Sequence, residues 1–445
     1  EKVTEVFSDL EFRTLLKKVV KDDTATVAPA SKPVDTDGQM SLFGGGEEVV
    51  QEASSEFGSL TNAKDVKYTL VEDEKGLTKA LKALNKYEAV CFDTETSSLE
   101  ELTTKLLGVA LSGKKGEAWY VSMPQEFNLR MTFRKLLNEF FANEAVTKIA
   151  HNVKFDLKVL AGEKIIVKGP LFDTMIAHYL LEPEQRHNMD VLAEVYLNYQ
   201  PVSIETLIGP KGKNQKSMAD LAPAEVNDYA CEDADVTLQL YEVFKEKIDG
   251  SFLERLFYDV EMPLVRVLME MEMEGINLDV QALAEFSEEL NTQLIDLQKN
   301  IIDAAGVEFN VDSPRQLGDV LFETMKLNDK AKKTKTGQYK TDEATLTKLQ
   351  GKHPIIDDIL EYRQMKKLKS TYVDALPKLV NQKTGRIHTT YFQTVAATGR
   401  LSSNHPNLQN IPIRSTRGKE IRKAFKARAE EFKIMAVDYS QIELR

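Results

Sequence analysis

The sequence predicts an α/β domain with a mixed sheet, followed by a mostly α-helical region and a short α+β segment. Three observations carry this reading. The apolar run Ala89-Val90-Cys91-Phe92 leads into Asp93-Thr94-Glu95, and strand-like runs follow at Leu106–Ser112 and Glu117–Val121, among stretches with helical spacing. From Leu253 onward helical patterns dominate. Strand signals return only after Gly385, at Ile387–Gln393 and Ile434–Asp438. A chain of 445 residues is too long for one ordinary core, so two or three domains are expected.

Taken in order, residues 1–21 carry an amphipathic pattern (Val6-Phe7, Leu10, Phe12, Leu15-Leu16, Val19-Val20) that predicts a short helix. Residues 22–65 are rich in Asp, Glu, Ser, Gly, Thr and Ala and predict a flexible linker. Residues 66–250 form the α/β unit, with helices predicted over 131–142, 151–161, 172–181 and 223–248 packed on the sheet. Residues 251–385 read as helical. They include a long amphipathic helix over 279–305, a basic, Gly-containing mobile loop at Lys330–Lys340, and a helix over 355–380. Residues 386–445 hold the returning strands. There is no internal repeat and no Gly-rich phosphate-cradling loop.

Hydrophobic content of 42% and charged content of 29% describe a soluble globular protein. No stretch approaches the ~20 apolar residues of a membrane span, and no signal segment opens the chain. Two cysteines, Cys91 and Cys231, fit buried free thiols in a reducing cytoplasm. The net charge of −12 is unevenly spread. Residues 326–428 hold 23 Lys and Arg against 8 Asp and Glu, a local +15 that leaves −27 elsewhere. Its basic clusters (Lys330, Lys332, Lys333 and Lys335; Arg363, Lys366, Lys367 and Lys369; Arg414, Arg417, Lys419, Arg422, Lys423, Lys426 and Arg428) point to a polyanionic partner rather than to solvated helix faces alone.

Asp93 and Glu95 lie two apart on a strand, so both leave the same face. Tyr229 and Asp233 lie four apart on a helix and share a face too. Asp156 follows in His151-Asn152-Val153-Lys154-Phe155-Asp156 on a further helix. Four carboxylates at one sheet edge repel one another unless cations sit between them. Hard oxygen donors in that number suit Mg²⁺ or Mn²⁺. Two such ions, about 4 Å apart, can activate water and stabilise a leaving 3′ oxygen. Either short motif alone is weak, since most such pairs are simply solvated.

Order and context give them weight. Phe92-Asp93-Thr94-Glu95-Thr96, then Asn152-x-x-x-Asp156, then Tyr229-x-x-x-Asp233-Ala234-Asp235-Val236-Thr237 resembles the three motifs of the DEDD-type 3′–5′ exonuclease domain, whose fold is ribonuclease H-like. Arg186–Asp190 and Lys211–Gln215 are similar to that domain as well. The resemblance implies that Asp93 bridges two metals, that Glu95 and Asp233 bind the first, and that Asp156 holds the second through water. It implies that Tyr229, with Glu95, orients the attacking water, that Leu99 wedges against the terminal base and that Asn152 contacts the strand. His151 and His187 read as strand contacts or plain polar residues, not as metal ligands.

The second half carries its own resemblance. Tyr258–Leu264 through Gly275-Ile276-Asn277, Leu360–Arg363 through Lys369–Tyr372, Thr398-Gly399-Arg400-Leu401-Ser402-Ser403, Pro406–Pro412 and Val437-Asp438-Tyr439-Ser440-Gln441-Ile442-Glu443 resemble family A DNA polymerases. On that basis residues 251–385 correspond to a helical thumb and 386–445 to a partial palm. The resemblance implies Arg400 at the primer-terminus minor groove, with Asn407, Gln409, Asn410 and Arg414 along the template–primer. It implies Asp438 as a metal-bridging carboxylate and Glu443 as a gate against the ribose 2′-OH. It places a second palm carboxylate and the triphosphate-binding residues downstream of Arg445. The sequence is therefore expected to be a fragment with an intact proofreading site that binds duplex DNA and single-stranded 3′ ends. It is expected to be a monomer that uses dNTP only within a complete polymerase and does not polymerise by itself. Two alternatives are a DNA-binding fragment without catalysis and a stand-alone RNA exonuclease similar to ribonuclease D. The 398–412 and 438–445 runs argue against the second.

Overall fold

The computed structural model describes residues 66–413 and 415–441. The predicted helix over 1–21 and the linker over 22–65 lie outside the described residues.

A six-stranded mixed sheet organises the first half. Its strands are β1 (Lys67–Val71), β2 (Ala89–Thr96), β3 (Leu106–Lys114), β4 (Glu117–Ser122), β5 (Thr147–Ala150) and β6 (Leu171–Asp173), in the order β1-β4-β3-β2-β5-β6. The β2–β3 and β3–β4 pairs are antiparallel, and β1–β4, β2–β5 and β5–β6 are parallel. The central strand β2 is the one that carries Asp93 and Glu95.

Helices α1 (Glu74–Leu84), α2 (Phe127–Phe141), α3 (Val153–Gly162), α4 (Thr174–Leu181), α5 (Met189–Leu197), α6 (Ile204–Ile208) and α7 (Pro223–Ile248) surround the sheet. Local chemistry sets their starts. Asp73 caps α1 by accepting from Gly76 N at 2.6 Å, and Asp173 caps α4. Pro223 opens α7, while the Glu225 side chain accepts from Ala222 N at 2.7 Å. Because side chains alternate along β2, Phe92 packs its ring on Phe141 of α2, 5.1 Å between centroids. Asp93 and Glu95 point to the opposite face, which α7 covers. The core between these layers includes Leu77, Val109, Leu111, Phe133, Leu137, Leu160 and Phe244, and Phe257, Met262 and Val265 extend it.

The second half builds another core. After a π-helical stretch at Phe257–Glu261 come α8 (Met262–Glu274), α9 (Val280–Ala305), α10 (Pro314–Asp319), α11 (Glu343–Thr347), α12 (Ile355–Leu368) and α13 (Thr416–Lys423). Leu290, Ile301, Leu321, Ile355, Ile359, Met365 and Ile421 are buried together there. Strands β7 (Ile276–Leu278), β8 (Arg386–Ile387) and β11 (Phe425–Lys426) form a small sheet in the order β11-β7-β8, and β9 (Thr390–Phe392) pairs with β10 (Ser402–Asn404) as a hairpin.

Four expectations need correction. The helix expected over 172–181 begins at Thr174, because Leu171–Asp173 is strand β6 and Asp173 turns the chain into the helix. The helix expected over 355–380 ends at Leu368. The chain widens into a π turn at Lys369–Val373, then a 3₁₀ turn at Leu376–Leu379 in which Pro377 donates no N–H. The strand expected over 387–393 is split between two sheets, because Thr389 Oγ1 is drawn into bonds with Asn404 O at 3.1 Å and Pro406 O at 2.8 Å. Ile434–Asp438 forms no strand, since no neighbouring strand pairs with it among the described residues, and Ile434, Met435 and Val437 are exposed. The 330–340 loop folds as a tight turn: Lys340 N donates to Lys332 O at 2.9 Å, and Tyr339 stacks on Phe322 at 5.1 Å.

Candidate active site

Asp93, Glu95 and Asp233 each present a carboxylate oxygen within 4.8 Å of the others'. Two strand positions and one helix position produce this group. The β2–β3 register shifts between Glu95 and Thr96, a bulge that re-aims side chains at the end of the strand. Opposite Glu95 stands Gly108, where a Cβ would lie 2.3 Å from the Tyr120 ring. A larger residue there would have to displace the buried Tyr120 ring.

Helix α7 carries three neighbouring carboxylates, and tertiary contacts sort them. Glu232 accepts from Tyr199 Oη and from Val202 N at 2.6 Å. Asp235 accepts from Tyr68 Oη at 3.0 Å and from Gly116 N, and Gln239 Nε2 donates to it at 3.2 Å. Asp233 differs. Its Oδ1 and the Oε1 of Glu95 are the two buried side-chain oxygens among the described residues that have no hydrogen-bond partner. Burying unpartnered carboxylate oxygens is costly, so both are donor atoms waiting for a cation. The pair and Asp93 therefore fit a hard divalent metal on their own chemistry.

The electrostatics match the geometry. Burial raises the Asp93 carboxyl from 3.8 to about 6. Burial, then the charge of Asp93, raises Glu95 well above the ordinary range. Burial, then Asp93 and Glu95, does the same to Asp233. Tyr229, one turn before Asp233, is pushed up by burial and by the facing carboxylates of Asp233, Glu95 and Asp93. It stays a neutral hydroxyl at any working pH.

Asp156 lies outside the three-carboxylate group. Thr94 holds it: Oδ1 accepts from Thr94 N at 3.0 Å and from Thr94 Oγ1 at 2.6 Å. Burial and then Asp93 raise its carboxyl as well. Asn152 caps α3 in the left-handed region at φ 63° and is exposed. Leu99 is 79% exposed in the loop after β2. His151 bonds Thr174 Oγ1 at 2.9 Å, and His187 bonds His178 at 2.8 Å, ring nitrogen to ring nitrogen. Neither belongs to the carboxylate group.

The polymerase-type positions are scattered by comparison. Arg400 is exposed on the loop joining β9 to β10. Asn407 accepts from Gln409 N at 3.0 Å in a local turn, and Asn410 O accepts from Tyr372 Oη at 2.6 Å. Asp438 sits exposed on the irregular 433–439 stretch and joins no metal-binding group among the described residues. Arg414 and Glu443 lie outside the described residues.

Sequence reasoning gave no role to Thr94 and Asp235, though both stand in the quoted motifs, and passed over Asp173 and Glu232. Asp173 is the one with a local signal, a helix-capping residue after an apolar run. It holds two helix starts at once, accepting from Val153 N at 2.8 Å and Met175 N at 2.8 Å.

Comparison with known proteins agrees with both halves. Residues 68–249 match the 3′-5′ exonuclease family model, and residues 280–445 match DNA polymerase family A. DNA polymerase I of Chloroflexus aurantiacus is 40% identical over 460 residues, covering 100% of this chain and 48% of the relative. DNA polymerase I of Pseudomonas aeruginosa is 41% identical over 393 residues, covering 86% of this chain and 43% of the relative. The chain thus spans under half the length of these relatives. A solved structure titled the POL domain of Pol1 from M. smegmatis, in complex with DNA primer-template and dNTP, matches with a TM-score of 0.65 and 30% identity. It covers 78% of this chain and 57% of the solved one. The chain belongs to the family A DNA polymerases and carries a 3′–5′ exonuclease region ahead of its polymerase-family region.

Proposed function

We propose that residues 66–250 act as a 3′–5′ exonuclease that removes nucleotides from DNA 3′ ends with two divalent cations, Mg²⁺ or Mn²⁺. Residues 251–385 then correspond to a thumb and 386–445 to part of a palm, which together hold template–primer duplex in the cytoplasm. The observation that carries this is the trio Asp93, Glu95 and Asp233 with two buried, unpartnered carboxylate oxygens.

Asp93, Glu95 and Asp233 would hold the metal, and Asp156 would contribute from α3. The bound cations supply charge neutralisation and water activation for phosphodiester cleavage. Tyr229, kept neutral, has a hydroxyl to orient the attacking water together with Glu95. Leu99 offers an exposed apolar edge to the terminal base, and Asn152 offers an exposed polar edge to the strand.

On the other side, Arg400, Asn407, Gln409, Asn410 and Arg414 are assigned to the template–primer. The minor groove presents similar acceptors for every base pair, so contacts there check shape rather than sequence. The basic 326–428 stretch supports the duplex assignment. Asp438 and Glu443 are assigned to nucleotidyl transfer and nucleotide selection in a complete polymerase. Asp438 is exposed and belongs to no group of three or more metal-binding side chains among the described residues, so this chain alone is expected not to extend a primer.

The test is shortening of a 3′-mismatched primer on a template, with Mg²⁺ and then with EDTA. Metal-dependent shortening that Asp93→Ala abolishes, with duplex binding nearly unchanged, is the expected result. Primer extension by this chain in the presence of dNTPs would refute the division of labour.

A further inference from the structure

Helix α3 is held on two sides. Asp156 faces Thr94 of β2, while Lys154 and Lys158, each two positions away and so roughly opposite on the helix, face outward from that contact. Both lysines are buried, and both meet Glu272 of α8, which is 2% exposed. Lys154 Nζ pairs with Glu272 Oε1, and Lys158 Nζ lies 2.5 Å from Glu272 Oε2 and 2.8 Å from Glu101 Oε1. The network reaches further. Lys154 Nζ also donates to Tyr391 O, and Tyr391 N donates to Glu272 Oε1 at 2.7 Å. Tyr391 is the middle residue of β9, the hairpin strand whose connecting loop carries Arg400. Two more bonds fix the same loop: Tyr179 Oη to Ala396 O at 2.7 Å, and Gln393 Nε2 to Glu261 Oε2 at 2.6 Å.

We propose that Glu272 is a positioning residue for the carboxylate centre. Through Lys154 and Lys158 it sets α3, and with it Asp156, against β2, and through Tyr391 it ties the β9–β10 hairpin of the polymerase-family region to the same helix. Two lysines and two carboxylates balance in charge, and each carboxylate oxygen of Glu272 has its own lysine. A network built only for stability would be matched or bettered by apolar residues of similar volume. The orientation it imposes would not be. This inference rests on the metal-centre reading above.

The experiment measures Mn²⁺ binding by calorimetry on the full chain without DNA, beside thermal melting. Three variants are compared: Glu272→Gln, the apolar triple Lys154→Met/Lys158→Met/Glu272→Met, and Glu274→Gln. Glu274 lies on the same helix but pairs outward with Arg386 and Arg428. Glu272→Gln leaves two buried lysines short of a partner and is expected to melt early. The triple variant removes every buried charge of the trio and leaves Glu101, which has partial contact with solvent, but it also takes the partners from Tyr391 N and O, so it is expected to melt below wild type yet above Glu272→Gln. Its Mn²⁺ affinity is expected to fall about tenfold or more, the usual effect of removing a group that orients a ligand, while Glu274→Gln leaves affinity unchanged. A triple variant that is folded at the titration temperature and whose Mn²⁺ affinity is within about twofold of wild type would overturn the positioning role and leave the network a packing feature. Wild-type protein that takes up no Mn²⁺ would overturn the metal centre itself, and the inference with it.

Discussion

Asp93→Asn should make the metal-free protein more stable while removing its exonuclease activity. Burial lifts the Asp93 carboxyl from 3.8 to about 6, so the fold disfavours its ionised form. The sign follows from linkage. Below the unfolded value both states are protonated and no penalty exists. The penalty grows as pH rises through the window from 3.8 to about 6 and is complete above it. At neutral pH it amounts to about 3 kcal/mol at most, because Asp93 keeps partial contact with solvent. Asn has the same shape and no charge. Its introduction also relieves Glu95, Asp156 and Asp233, each of which the Asp93 charge pushes upward. For a domain of this size about 1 kcal/mol moves the melting temperature by about 2–4 °C. A rise of about 6–12 °C in EDTA at neutral pH is therefore the upper expectation. Two conditions should close the gap. Near pH 4 the wild type sheds the same charge, and in saturating Mn²⁺ the wild type gains binding energy, about 2.7 kcal/mol at a hundredfold excess over Kd. Melting curves by circular dichroism, with and without EDTA and at both pH values, make the comparison. A variant that melts at or below wild type in EDTA at neutral pH would refute the account of the cluster as a strained, cation-ready site.

Asp156→Ala strips the partner from buried Thr94 N and Oγ1 and should destabilise the fold by about 1–3 kcal/mol, read by chemical denaturation. This is the opposite sign to Asp93→Asn, although both residues are acids of one centre. Asp235→Ala should lower the melting temperature by a similar amount, since it orphans Gly116 N and the Tyr68 hydroxyl. It should affect the exonuclease rate less than Asp233→Asn does, because Asp235 faces away from the trio. Binding of primer–template duplex should weaken steeply and linearly in log Kd against log salt, measured by anisotropy, because each phosphate neutralised from the 326–428 stretch releases counterions. A flat salt profile would remove the duplex-binding assignment.

Much of this protein is written locally. An apolar run ending in Asp93-x-Glu95 announces a strand with two carboxylates on one face, and Tyr229-x-x-x-Asp233 announces a helix face. Both follow from the repeat of strand and helix. The β3–β4 hairpin and the long helices α7 and α9 were legible for the same reason. Short strands were not. Leu171–Asp173 and Thr147–Ala150 are too brief to show a period, and they are strands because β2 offers hydrogen bonds to Thr147–Ala150, which in turn offers them to Leu171–Asp173. Ile434–Asp438 is the converse case. Its apolar pattern suits a strand, yet a strand exists only where another pairs with it.

The sequence by itself determined which residues could bind a metal; tertiary structure decided which of them stay free to do so. Glu232, Asp233 and Asp235 look alike along α7. Tyr199 claims the first and Tyr68 the last, from 33 and 167 residues away, leaving Asp233 open. No local pattern marks Lys154 and Lys158 as buried; Glu272, 118 and 114 residues on, pairs with both. Periodicity reports only which way a side chain leaves its own backbone. What it meets there is settled by chain closure over a hundred residues, and no local pattern encodes that.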